Sequence, residues 1–209
     1  MRFNKAGFQE RFSVSRETIA GFEAYEALLK KWNPRINLVS RTTLAEVWHR
    51  HFADSAQLWD MMPETASSWL DFGSGAGFPA LVVAILAKEK KSDLRVVLVE
   101  SDQRKCAFLI NVIAELGLNA EVKAARIEDI PPLDADVISA RAVAPLEKLL
   151  ELSALHAHKS TVMLFPKGNS YESELTAARK HWHIEHKAIP SLTDPNSVIL
   201  KIKEFKRAE

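Results

Sequence analysis

A single cysteine, Cys106, stands among 209 residues. No intrachain disulfide can form, which excludes a disulfide-stapled secreted scaffold and fits a reducing compartment, so a cytoplasmic location is expected. Long apolar runs are missing too. No stretch approaches the roughly 20 residues of a membrane-spanning helix, and the opening MRFNKAGFQERF carries charges where a secretory signal has its apolar centre. Net charge is nearly nil: 28 basic against 27 acidic side chains leave +1, so no overall field points to nucleic acid. The distribution of charge over one face matters more than its sum. Lys30, Lys31, Arg35 and Arg41 form one basic group, and Lys201, Lys203, Lys206 and Arg207 another. Each reads equally well as solvated surface or as part of an RNA-facing patch.

What is present suits one compact domain, or one domain with a helical extension. Hydrophobic residues make up 47% and charged residues 26%, enough for a core under a polar surface, and disorder is excluded. From Ser15 to Trp32 the residues Ile19, Phe22, Tyr25, Leu28, Leu29 and Trp32 recur at helical spacing, and Pro34 is expected to stop that helix. A second helical pattern runs from Leu44 to Met62, ended by Pro63-Glu64-Thr65. Residues 1–65 thus read as an N-terminal helical segment packed on a core of residues 66–209.

In the second part short apolar runs alternate with amphipathic helices. Strands are expected at Ser68–Phe72, Leu94–Glu100, Ala120–Ala124, Val137–Ala140 and Thr161–Phe165. Helices are expected at Phe78–Lys88, Asp102–Leu116 and Pro145–Ala157, and a closing hairpin at Ile184–Ile189 and Val198–Ile202. The alternation predicts an α/β protein with a Rossmann-like, mostly parallel seven-stranded sheet covered on both faces. There is no internal repeat.

The sharpest motif is Leu70-Asp71-Phe72-Gly73-Ser74-Gly75-Ala76-Gly77-Phe78-Pro79, where the first strand turns into a helix. Ligands of such folds sit outside the carboxyl ends of the strands, and glycines let the backbone come close. The loop lacks the Lys-Ser/Thr ending of a phosphate loop. It also fails the dinucleotide pattern, whose third glycine is replaced by Phe78. An acid ahead of Gly73, Gly75 and Gly77 instead suits S-adenosylmethionine, which carries an amino-acid end in place of a pyrophosphate. Glu100, ending the second strand at the same sheet edge, is placed to accept hydrogen bonds from both ribose hydroxyls. It would repel a phosphate there, which disfavours NADP. Its plainer role is to cap the helix beginning near Asp102, and Asp71 either braces the loop or meets the methionine end.

The chain resembles the RsmG (GidB) family of bacterial 16S rRNA guanine-N7 methyltransferases along nearly its whole length. The resemblance rests on five pieces in order: Trp32-Asn33-Pro34-Arg35-Ile36-Asn37-Leu38-Val39-Ser40, Arg50-His51-Phe52-Ala53-Asp54-Ser55, the loop Asp71 to Pro79, Ile138-Ser139-Ala140-Arg141-Ala142, and Lys167-Gly168. It implies methylation of the guanine at position 527 of 16S rRNA, free or in the small ribosomal subunit, with S-adenosylmethionine as cofactor. It also implies cofactor contacts at Gly73, Phe78, Ile127, Glu128 and Arg141. Two positions depart from the family's habit: Ala80 stands where a further glycine is common, and Ala140 precedes Arg141 at a strand end often written Ile-Ser-Arg.

Guanine N7 presents a lone pair, so no general base is required and catalysis should rest on proximity and orientation. Arg141 and Lys167, each after a strand end, are the candidates for gripping a carboxylate, a phosphate or the guanine O6 edge. Trp32, Trp48, Phe78 and Arg141 are candidates for stacking a splayed base, although both tryptophans fit a helix's apolar stripe better. His49, His51 and Asp54 lack the spacing of a metal site, so no metal is expected. His51 and Asp54 suit a structural hydrogen bond or the border of the RNA path. Cys106 reads as packing, and a monomer is expected. Two other functions stay open from sequence: a methyltransferase of the same fold with another acceptor, and a non-enzymatic nucleotide- or RNA-binding module.

Overall fold

The computed structural model describes residues 2–208. Seven strands form one sheet: β1 (Ser68–Phe72), β2 (Arg95–Val99), β3 (Ala120–Lys123), β4 (Ala135–Ala140), β5 (Ala157–Lys167), β6 (Trp182–Pro190) and β7 (Val198–Arg207). Their order is β3-β2-β1-β4-β5-β7-β6. The first five are parallel, while β7 runs antiparallel to β5 and β6 antiparallel to β7. The order reverses direction between β1 and β4, the point where α/β sheets open a crevice for ligands.

Among the described residues eight α-helices accompany the sheet: α1 (Lys5–Phe12), α2 (Arg16–Ile36), α3 (Arg41–Ala45), α4 (Asp54–Ala56), α5 (Ala80–Lys90), α6 (Gln103–Leu116), α7 (Leu146–His156) and α8 (Tyr171–Ala178). Strand side chains alternate between the two faces, as a pleat requires. Trp69, Val96, Leu98 and Val137 join Phe8, Phe22, Tyr25, Leu81 and Phe108 on one side. Leu70, Phe72, Val97 and Ile138 meet Leu146, Leu150 and Leu175 of α7 and α8 on the other. The N-terminal helices thus share a core with α5 and α6. Helix α5 is buried from Ala80 to Ala87, because the sheet lies on one side of it and α2 and α4 on the other.

Several elements depart from the sequence reading. Pro34 does not stop α2, which ends at Ile36 with Asn37 in the left-handed region, φ 50°. The proline sits in the last turn, where its missing N–H forfeits one intrahelical bond and little helix remains to break. The single helix expected from Leu44 to Met62 is divided into α3, a π-helix from Trp48 to Ala53, α4, and a 3-10 turn from Trp59 to Met61. Helix α5 begins at Ala80, leaving Phe78 in the glycine loop. Helices α1 and α8, and the full lengths of β5 and β7, exceed the expectation.

Candidate active site

The glycine loop between β1 and α5 runs through three left-handed backbones: Gly73 (φ 58°), Gly75 (φ 56°) and Gly77 (φ 93°). A methyl group on Gly77 would lie 2.3 Å from Leu81 Cδ1 and 2.8 Å from Tyr25 Oη, and one on Gly73 2.8 Å from Val143 Cγ2. Gly75 is different. A Cβ there would meet only the Gly73 carbonyl, at an ordinary contact distance of 3.7 Å, so the position is otherwise uncrowded and its lack of a side chain leaves room for a ligand.

Each side of the loop is tied down. Tyr25 of α2 donates to the Ala76 carbonyl, and Ser74 N–H donates to Val99 O at 3.1 Å. Gly75 N–H donates to Glu100 Oε2 at 2.8 Å, while Glu100 Oε1 accepts from Asp102 N–H at 2.8 Å. Glu100 is 7% exposed. Asp102, and not Glu100, caps α6, through bonds from the N–H groups of Arg104 and Lys105. Glu100 therefore joins the glycine loop to the end of β2, and each of its oxygens keeps a lone-pair direction beyond the bond it makes.

Asp71 is fully buried. Register pairs it with Ser139 of β4, whose hydroxyl donates to Oδ1 at 2.6 Å and accepts from Trp69 Nε1 at 2.8 Å. Oδ2 has no hydrogen-bond partner among the described residues. Burial raises the Asp71 carboxyl to about 7, against the pull of the Ser139 bond and the Arg141 charge. A buried carboxylate with a free oxygen beside a glycine turn suits a cationic group, and the open face at Gly75 next to Glu100 suits a sugar. The residues present therefore fit an adenosyl amino acid.

Arg141, just past β4, is clamped by the N-terminal segment. Its Nη1 donates to Asp54 Oδ2 at 3.2 Å and to the Arg50 carbonyl at 3.4 Å, and its Nη2 to His51 Nδ1 at 3.0 Å. The Arg50 carbonyl belongs to the π-helix, a turn type that occurs mostly as single turns and often at functional sites. The guanidinium also lies 5.0 Å from the centroid of Phe78, and His51 stacks on the same ring at 4.6 Å. Burial lowers His51 to about 3, and the charges of Arg141 and Arg50 add to the effect, so the imidazole is neutral and its Nδ1 accepts. Asp54 also accepts from Thr193 Oγ1 at 2.7 Å, which fastens the β6–β7 turn to the same cluster.

The other residues singled out from the sequence have the following surroundings. Phe78 is 4% exposed and covered by His51, Tyr25 and Arg141, so its ring is not open for stacking a base. Trp32 packs edge-on to Phe108, and Trp48 packs among Phe8, Phe22 and Phe52 with its Nε1 donating to Glu26. Cys106 is buried and donates to Glu100 O. Ile127 and Glu128 form a 3-10 turn after β3, with Ile127 buried, Glu128 exposed, and the Ile127 carbonyl held by His156. Lys167 ends β5 and reaches Glu174 Oε2 at 2.7 Å and the Ala144 carbonyl at 3.1 Å. No group of three or more metal-ligating side chains occurs among the described residues.

Beside the loop opens a cavity of about 630 Å³, walled by Val143, Pro145, Pro166 and Ile199 and edged by Asp54, Arg141 and Lys167. Val143 forms the partition, since it packs on Gly73 and also lines the cavity. Sequence reasoning missed Val143, Tyr25, Ser139 and Glu174. Ser139 stood in a quoted motif and Tyr25 on the α2 stripe, but periodicity assigns a face and does not reveal what a hydroxyl will meet.

A model of the GidB family, described as rRNA small subunit methyltransferase G, matches residues 18–199. The chain belongs to this family. It is 51% identical over 194 residues to the ribosomal RNA small subunit methyltransferase G of Cereibacter sphaeroides (strain ATCC 17025), covering 93% of each chain. It is 49% identical over 203 residues to that of Rhodospirillum centenum, covering 97% of this chain and 92% of the relative. Among solved structures, a SAM dependent methyltransferase from Aquifex aeolicus superposes with a TM-score of 0.57 at 16% identity, over 71% of this chain and 88% of that one. At that identity the likeness carries the fold alone. The pieces on which the resemblance rested lie within the matched residues of this methyltransferase family.

Proposed function

We propose that the chain uses S-adenosylmethionine to methylate N7 of the guanine at position 527 of 16S rRNA, acting as a cytoplasmic monomer. The observation that carries this reading is the glycine loop fastened to Glu100, with an open face at Gly75 and a half-free buried carboxylate at Asp71. The curated relatives are named for ribosomal RNA of the small subunit, which supports the acceptor.

In this reading Glu100 and the Gly75 backbone hold the ribose, Ile127 and Glu128 border the adenine, and Gly73, Gly77 and Phe78 shape the turn. Asp71 faces the amino-acid end. The bound donor supplies an electrophilic methyl group on a sulfonium. The chain's own contribution is alignment: guanine N7 needs no proton removed, and His51, the nearest imidazole, has its Nδ1 occupied by Arg141. The target base enters the cavity beside Val143, between apolar walls with cationic edges. Arg141 is held rigidly enough to direct a donor N–H at the O6 edge or at a phosphate. Lys167 acts as a positioning residue, because its ammonium fixes the segment carrying Val143 and Ala144.

The test is calorimetry with the donor and its demethylated product, followed by turnover on small-subunit rRNA with a labelled methyl group. Binding with transfer is expected. Binding without transfer to any RNA would make the chain a nucleotide-binding module, and transfer to a protein or small molecule would change the acceptor.

A further inference from the structure

Between Glu26 and Glu46 the chain has no acid, yet it carries Lys30, Lys31, Arg35 and Arg41. Lys30 is paired with Glu26 at 2.6 Å. Lys31, Arg35 and Arg41 are exposed and have no carboxylate within ion-pair distance among the described residues. Lys31 and Arg35 stand four apart on one face of α2, where like charges oppose helix formation. Arg35 lies in the last turn of α2, where the helix dipole favours a cation, but Lys31 is a turn further in and has no carboxylate partner among the described residues.

The place of these cations matters more than their number. Helix α2 starts at the far end of α5, where Thr18 and Ser15 bond Glu89. It passes the glycine loop at Tyr25 and then reaches Phe108, in the first half of α6, with Trp32. It therefore runs antiparallel to α5, and its C-terminal half crosses from α5 to the first half of α6. The chain there is firmly shaped. The Asn33 side chain is 6% exposed, accepts from Val39 N–H at 2.8 Å and donates to Val39 O at 3.0 Å, while the Ser40 side chain caps α3. A hollow of about 550 Å³ opens at this bend, lined by Pro34, Asn37, Ser40 and Arg41. Arg50, also exposed, follows on the π-helix, and its carbonyl touches Arg141.

We infer that Lys31, Arg35 and Arg41, presented on this rigid bend, form a docking rim for the phosphate backbone of the substrate RNA. The inference rests on the proposed function for the identity of the RNA. The chemistry favours a polyanion because unpaired cations of one sign, held on a preformed bend with hydroxyl and amide groups between them, match successive phosphates. Such contacts position the RNA without reading its sequence.

The test compares wild type with the Lys31→Gln/Arg35→Gln/Arg41→Gln triple variant and with Lys159→Gln. Lys159 is an exposed control at the start of β5, on the opposite sheet edge. Affinity for a 16S rRNA fragment is measured across a range of salt. The triple variant is expected to bind about 10- to 100-fold more weakly at low salt, and its log K against log[salt] slope should be shallower by roughly 2 to 3. Calorimetric affinity for the demethylated cofactor should be unchanged, and Lys159→Gln should match wild type. An unaltered RNA slope in the triple variant overturns the rim, as does a loss confined to binding of anionic lipid vesicles. Wild type that binds RNA with the predicted slope but transfers no methyl group would instead overturn the functional reading and leave the rim standing.

Discussion

Replacing Asp71 by Asn should stabilise the protein in mild alkali and lose that advantage in acid. Asp71 is fully buried, with one oxygen bonded to Ser139 and the other without a partner among the described residues. Burial lifts its carboxyl from 3.8 to about 7. A raised carboxyl favours the folded state fully below its unfolded value, and that contribution is lost as pH rises through the folded value. At about 1.4 kcal/mol per unit, the ionised side chain opposes folding by on the order of 4 kcal/mol once both states are ionised. Asparagine removes the charge and keeps an acceptor for Ser139, but puts an amide N–H where Oδ2 stands, at a cost of about 1–3 kcal/mol. The net gain near pH 8 is roughly 1–3 kcal/mol, and it should shrink by about 2–3 kcal/mol near pH 5. Urea denaturation of both proteins at the two pH values measures this. Donor affinity should fall about tenfold in the variant. A stability difference that stays constant with pH would refute the claim that Asp71 is a desolvated acid.

The glycines separate structure from ligand space. Gly77→Ala meets Leu81 and Tyr25 and should destabilise by about 3 kcal/mol or more, whereas Gly75→Ala should cost about 1 kcal/mol of backbone strain and abolish donor binding by filling the open face. Thermal melts with calorimetry distinguish them. Asp54→Ala frees Arg141 and unfastens Thr193; it should cost roughly 2–3 kcal/mol and lower kcat more than donor affinity. His51, lowered to about 3, stays neutral in the fold while the unfolded chain takes a proton below about 6.5. Stability is therefore lost as pH falls through that window, and His51→Asn should remove about 2 kcal/mol of the loss near pH 5, seen as a flatter acid limb in denaturation.

The parts of the fold that could be read from sequence were those whose pattern repeats. The β1 loop advertised itself through Asp71 and three glycines, and Glu100 through its place at a strand end. Helices α1 and α8 each bury only two residues, Phe8 with Phe12 and Leu175 with Ala178, and two apolar positions make no stripe. Pro34 misled because a breaker one turn from a helix end breaks little. Trp48 to Ala53 carried ordinary helical spacing, and only tertiary contact with Arg141 shows the use of the π-turn there. Arg141 could be assigned to a strand end, but its partners His51 and Asp54 lie some 90 residues away, beyond any local pattern. The burial of Phe78 follows from that same long-range cluster.

The most direct test of the account is a map of the methylated nucleotide. Unmodified 16S rRNA or small subunits are incubated with the protein and labelled donor, and N7-methylguanine is located by cleavage at the modified base and by mass. The account predicts one site, N7 of the guanine at position 527, and its absence when Gly75→Ala replaces wild type. A methyl group at another atom or nucleotide, or none with donor bound, would contradict it.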